Sequence, residues 1–293
     1  MSRQLRWAGA LFAVALVLGS SPRGLAQADP QNYLFNTGQT IQPFFAGWAH
    51  TPDGSFEMHF GYLNRNYVDE QHVPIGPNNR FESGDADRGQ PTFFYPRVNR
   101  RVFSVTVPPD FGEEEELVWT VTVGDETHRA VGWLQAEWEI DPNPFARFVG
   151  GEQAANQAPT LAVDAPRSVS LPGPLTMTAT VPDDGLPTPR ERRRGGANVL
   201  PTFEPEGPRL PVNVPQIQSE NRLRPTRAEV GRLTVSWTQW RGPTGVALDV
   251  QGEPGADQAT VTATFESPGD YVFRVQASDG LATVTEAVAV TVR

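Results

Sequence analysis

The sequence predicts an all-β protein made of two β-sandwich domains, and three observations point there. Glycine (27) and proline (28) are abundant, helical periodicity is nearly absent, and short runs of alternating apolar and polar residues recur between turn signals. The chain divides into a signal peptide at 1–28, a first β-domain at 29–142, a linker at 143–158 and a second β-domain at 159–293. A long, flexible insertion with the composition of a disordered loop interrupts the second domain at 188–231.

The first segment carries Arg3 and Arg6, then an apolar run over 7–19, then the small-x-small site Ala26-Gln27-Ala28. The mature protein is expected to begin at Asp29 and to be exported to the periplasm or the cell exterior. The apolar run falls short of the ~20 residues that span a bilayer, so no membrane insertion is expected after cleavage. Cysteine is absent, which excludes disulfides, thiolate nucleophiles and iron–sulfur clusters. All 24 basic residues are arginine, which removes Schiff-base and phosphate-loop lysines. Loss of the signal's Arg3, Arg6 and Arg23 takes the formal charge from -10 to -13, a sign that disfavours nucleic acid or an anionic membrane as partner.

In the first domain, Pro52-Asp53-Gly54 suits a turn closed by glycine at positive φ, pairing Thr51 with Ser55. That register sets Trp48 opposite Met58, Ala46 opposite Phe60 and Phe44 opposite Tyr62. Alternation then turns Phe56, Met58, Phe60 and Tyr62 inward, with Glu57 and His59 on the other face. Further strands are expected at 101–107, 117–123 and 128–140. Between Asn64 and Arg100 the alternation fails, and the stretch reads as loop, where binding residues on sandwiches collect.

The second domain carries Asn156-Gln157-Ala158-Pro159, Asp183-Asp184-Gly185, a strand around Trp237, Pro268-Gly269-Asp270-Tyr271 and Ala277-Ser278-Asp279-Gly280. In this order the segment resembles the PKD-like or cadherin-like immunoglobulin modules of bacterial surface proteins. The resemblance implies an immunoglobulin-like sandwich with Trp237 central in its core, and a role in spacing, adhesion or display. It also implies a possible calcium site at Asn156, Asp183 and Asp184, although Asp-Asp-Gly is equally a plain turn; no other cofactor is expected. The insertion departs from the pattern, with eight arginines against five glutamates over 188–231. The first domain, through Gly38-Gln39-Thr40, Gly47-Trp48, Phe60-Gly61-Tyr62-Leu63-Asn64-Arg65-Asn66, Pro74-Ile75-Gly76-Pro77 and Asp110-Phe111-Gly112, resembles a domain at the start of uncharacterised exported bacterial proteins.

Catalytic signatures are missing: no H-E-x-x-H, no G-x-S-x-G and no phosphate loop before a helix. The contiguous run Glu113 to Glu116 reads as a solvated turn. The candidate ligand-binding set is Asn64, Arg65, Asn66, Arg88, Gln90, Arg97 and Arg100, since guanidinium forks and amides together hold carboxylates, phosphates or sugars. The same residues suit a second task, tying loop backbone to the sandwich. The sequence thus leads to a non-catalytic envelope or secreted protein that binds a protein or a glycan. A polysaccharide hydrolase using loop carboxylates and a bare structural spacer are the alternatives.

Overall fold

The computed structural model describes residues 35–141, 151–188, 230–251 and 255–293. The signal peptide, most of the insertion and residues 142–150 of the linker lie outside them. The first half supplies β1 (Ile41–His50), β2 (Phe56–Asn64), β3 (Gln71–His72), β4 (Asn79–Phe81), β5 (Phe93–Phe94), β6 (Arg97–Val107), β7 (Leu117–Val123) and β8 (Glu126–Gly132). Sheet β1-β2-β6 faces sheet β4-β7-β8, and β3 pairs with β5 beside them. This is the A-B-E against C-F-G arrangement of an immunoglobulin-type sandwich. Its interior is aromatic: Trp119, fully buried, stacks on Phe81 and Phe94 and meets Phe103 edge-on at 5.0 Å.

After a one-turn helix α1 (Glu152–Ala155) come β9 (Ala162–Asp164), β10 (Ser168–Val169), β11 (Leu175–Thr180), β12 (Thr234–Arg241), β13 (Val246–Gln251), β14 (Gln258–Phe265), β15 (Gly269–Ser278) and β16 (Thr283–Val292). The sheets run β10-β16-β15-β12 and β13-β14-β11-β9, with β10 parallel to β16. That order is A′-G-F-C against D-E-B-A, the immunoglobulin topology. A tyrosine corner supports it independently: Tyr271, at the start of β15, donates from its hydroxyl to the Ser267 carbonyl four residues upstream at 2.8 Å. Trp237 is buried in this core opposite Val275, as the sequence predicts.

The structure corrects three readings and adds one strand. Trp48 does pair with Met58 and Thr51 bonds to Ser55, but the register slips between Phe45 and Gly47, so Phe60 faces Phe45 and Tyr62 faces Pro43. The cause is the chain at 138–140, which presses on Gly47: at its φ of 109° a Cβ would stand 2.5 Å from the Ile140 side chain. Strand β8 ends at Gly132 rather than 140; Trp133 and Trp138 then fold over Phe45 instead. Strand β6 starts at Arg97 rather than 101, and the stretch read as loop holds the short strands β3, β4 and β5. Finally, β13 is a full strand that weak alternation concealed, with only Val246 and Leu248 half-buried.

The largest surprise is Trp240. A second bulge, between Gln239 and Arg241, turns it out of its own sandwich and into the aromatic core of the first. Around it the two halves share hydrogen bonds: Thr92 N donates to the Trp240 carbonyl at 3.2 Å, and Gly242 N to Thr92 Oγ1 at 3.1 Å. Arg241 grips both Asp87 oxygens at 2.8 and 2.7 Å, and Arg274 lies 3.4 Å over the Trp240 ring.

Candidate functional site

The loop that leaves β2 alternates in and out. Asn64 and Asn66 are fully buried, while Arg65 and Tyr67 are exposed. Asn64 donates to the Asp69 and Phe94 carbonyls at 2.8 and 3.1 Å, and its Oδ1 accepts from Asn66 N and Nδ2. Asn66 in turn bonds both the N–H and the carbonyl of Gln39, as a neighbouring strand residue would. Buried amides therefore hold this loop alongside the backbone bonds from Arg65, Tyr67, Val68 and Asp69 to the 35–40 segment.

Gln90 does the same elsewhere: its side chain, fully buried, accepts from Arg88 N and donates to the Ala86 carbonyl, both at 2.7 Å. No surface ligand can reach Asn64, Asn66 or Gln90, whose polar atoms serve the backbone. Two further stitches escaped the sequence reading. Asn79 donates to the Val73 and Pro91 carbonyls and accepts from Trp119 Nε1, and Asn99 donates to the Arg97 carbonyl at 3.1 Å. An isolated asparagine in a loop gives no sign of which way it points.

The seven candidates do not form one surface. Arg65 and Arg97 line a single open hollow with Phe35, Leu63 and Tyr67. Arg100 is exposed, 6.0 Å from the Phe44 ring. Arg88 is half-buried in the 84–90 loop, next to the Asp87–Arg241 clamp. In the hollow, the Arg97 guanidinium lies 4.2 Å over the Tyr67 ring, and Tyr67 sits 6.2 Å from Phe35 at a tilt of 54°. Both rings are unusually open, Phe35 at 45% and Tyr67 at 40% exposure. Arg97 adopts a φ of 70°, rare for a side-chain-bearing residue. Sequence reasoning missed Phe35 and Tyr67; the outward phase of the Asn64-Arg65-Asn66-Tyr67 alternation was the available signal.

Other clusters have different uses. Ser104 Oγ donates to Glu57 Oε1, while His59 Nε2, 3.7 Å from Glu57 Oε2, has no hydrogen-bond partner. The serine hydroxyl is thus held by the carboxylate, and the imidazole Nε2 makes no hydrogen bond to it. Burial pushes His59 below its ordinary value, Glu57 opposing and Arg101 adding to the shift.

At the far end of the second sandwich, Asn156 Nδ2 donates to Asp279 Oδ2 at 2.9 Å. Asp184 accepts from Gln157 N and Leu186 N, and Asp183 from Gly185 N. The carboxylates thus serve turns, and among the described residues no group of three or more His, Asp or Glu is placed to hold a metal ion. Burial, then the charges of Asp279 and Asp184, raise Asp183 above the ordinary carboxylate range.

The clamp between the halves is titratable. Hydrogen bonds from Arg241 hold Asp87 below its ordinary value of 3.8. A carboxylate depressed on folding stabilises the folded state above its unfolded pKa, and the contribution is lost as pH falls through the lower folded value. Asp87→Asn is therefore expected to lower the melting temperature at pH 6 and to match the native chain near pH 2, as differential scanning calorimetry would read.

No family model and no curated protein matches the chain. Among solved structures, the S-layer protein rSbsC is similar at 14% identity and a TM-score of 0.26, over 87% of this chain and 28% of that one. The chain therefore spans under a third of that structure. The D00-D0 domain of Intimin aligns at 10% identity and a TM-score of 0.23, covering 86% of this chain and 100% of that one. The endo-fucoidan hydrolase MfFcnA4 of glycoside hydrolase family 107 aligns at 10% and 0.21, covering 89% and 30%. Scores this low define no shared architecture, and the sandwich assignment rests on sheet order and the tyrosine corner.

Proposed function

We propose that the protein is an exported, non-catalytic binding module of the cell envelope or its exterior. A PKD-like second sandwich presents the first, whose Arg65–Arg97 hollow contacts a protein or glycan partner. One observation carries this reading: two exposed arginines and two exposed aromatic rings meet in one hollow on a loop fixed by buried amides. Pre-ordering of that kind lowers the entropic cost of binding and has no use in a bare spacer. A glycosidase needs two carboxylates across a cleft, and the hollow's lining of Phe35, Leu63, Arg65, Tyr67 and Arg97 has none. The leader-like sequence at 1–28 supports export, and no helix among the described residues is long and apolar enough to cross a membrane.

The test is capture from an envelope extract with the native chain and with Arg65→Ala/Arg97→Ala. The double variant is expected to lose capture by about tenfold or more while its melting temperature moves by under about 2 °C. Unchanged capture by the variant contradicts the proposal.

A further inference from the structure

Resting on that binding reading, we propose that the hollow formed by Phe35, Arg65, Tyr67 and Arg97 takes an acidic polysaccharide, a sugar chain bearing carboxylates. The Tyr67 ring holds the Arg97 guanidinium 4.2 Å from its centroid, and a guanidinium anchored there offers N–H donors of the kind that bind carboxylates. Among the described residues neither Arg65 nor Arg97 is ion-paired with a carboxylate. Two adjacent, uncompensated guanidinium groups in a chain of net charge -10 form a local positive site complementary to an anion.

The rings supply the other half of the recognition. Phe35 and Tyr67 are 45% and 40% exposed and offer apolar faces to the C–H side of a sugar ring. The hollow is open rather than enclosed, so a polymer can cross it where a small molecule would stay largely solvated. An acidic protein segment fits less well. A segment that adds to a strand edge finds the N–H groups of Tyr67, Val68 and Asp69 already donating to the Phe35 and Asn36 carbonyls, and an acidic peptide held by the arginines alone leaves both exposed rings unused.

The experiment titrates the full chain with polygalacturonate, its fully methyl-esterified form and polyglutamate, read by calorimetry. Polygalacturonate is expected to bind, esterification to weaken binding about tenfold or more, and polyglutamate to compete poorly. Arg65→Gln/Arg97→Gln should lose the preference for acid over ester, whereas Phe35→Ala should weaken both sugar polymers and keep it. The acid–ester comparison needs only the native chain, so it stands even if a variant folds badly. Equal binding of polyglutamate, or of the ester, overturns the assignment. If polygalacturonate fails to bind while capture from extract still depends on Arg65 and Arg97, this assignment falls and the binding reading survives. If that capture is independent of both arginines, the binding reading falls too.

Discussion

Trp240→Ala is expected to lower stability by about 3–5 kcal/mol, and the loss should fall on a sandwich to which the residue does not belong in sequence. Trp240 is only 7% exposed, packs with Phe103 at 6.4 Å, donates to the Gly89 carbonyl and lies under Arg274. Truncation removes a large apolar surface and leaves Arg274 over a void, in a region too constrained by the Thr92 and Asp87 bonds to collapse. Calorimetry should show one transition for the native chain and two for the variant, as the halves lose their shared core. A loss below about 1 kcal/mol with a single transition kept would show that the joint is a surface contact of little weight.

Asn79→Ala is expected to cost about 3 kcal/mol or more, a large value for a polar side chain. Asn79 is fully buried and satisfies the Val73 carbonyl, the Pro91 carbonyl and Trp119 Nε1 at once. Removing it orphans two acceptors and one donor beside the fully buried Trp119, where water has little room. Asn79→Asp should rescue nothing: a carboxylate there can still accept from Trp119 but faces two carbonyl oxygens without a proton to give. Urea unfolding measures both, and an Asp variant as stable as the native chain would refute the hydrogen-bond assignment.

What the sequence made legible followed period-two burial. Strand β7 was read with its bounds, Trp48 with its partner Met58, and Trp237 with its place in the second core, because each lies where alternation and turn chemistry agree. Two of the misses share one cause. Bulges at Gly47 and after Gln239 shift the phase of a strand, and both answer to contacts distant in sequence, Ile140 for the first and the other sandwich for the second. Alternation within a strand cannot foresee either.

The candidate site was half legible for a related reason. Composition marked the arginines and amides as one group, since all can hold a ligand, but it could not say which faced water. The structure sorts them by phase: Asn64 and Asn66 inward as stitches, Arg65 and Tyr67 outward on the hollow. Phe35 comes to that hollow from before the first strand, through a backbone bond from Tyr67 N to its carbonyl that no spacing rule announces.

The hollow depends on this division of labour between neighbours, and the most direct measurement is the melting temperature of four single variants: Asn64→Ala, Arg65→Ala, Asn66→Ala and Tyr67→Ala. The expected profile is a sawtooth, with each asparagine variant losing about 2–3 kcal/mol and the two between and beside them staying within about 1 kcal/mol of the native chain. A profile in which Arg65→Ala falls as far as Asn64→Ala would mean that the arginine also holds the loop together, and the hollow would lose its claim to be a binding surface.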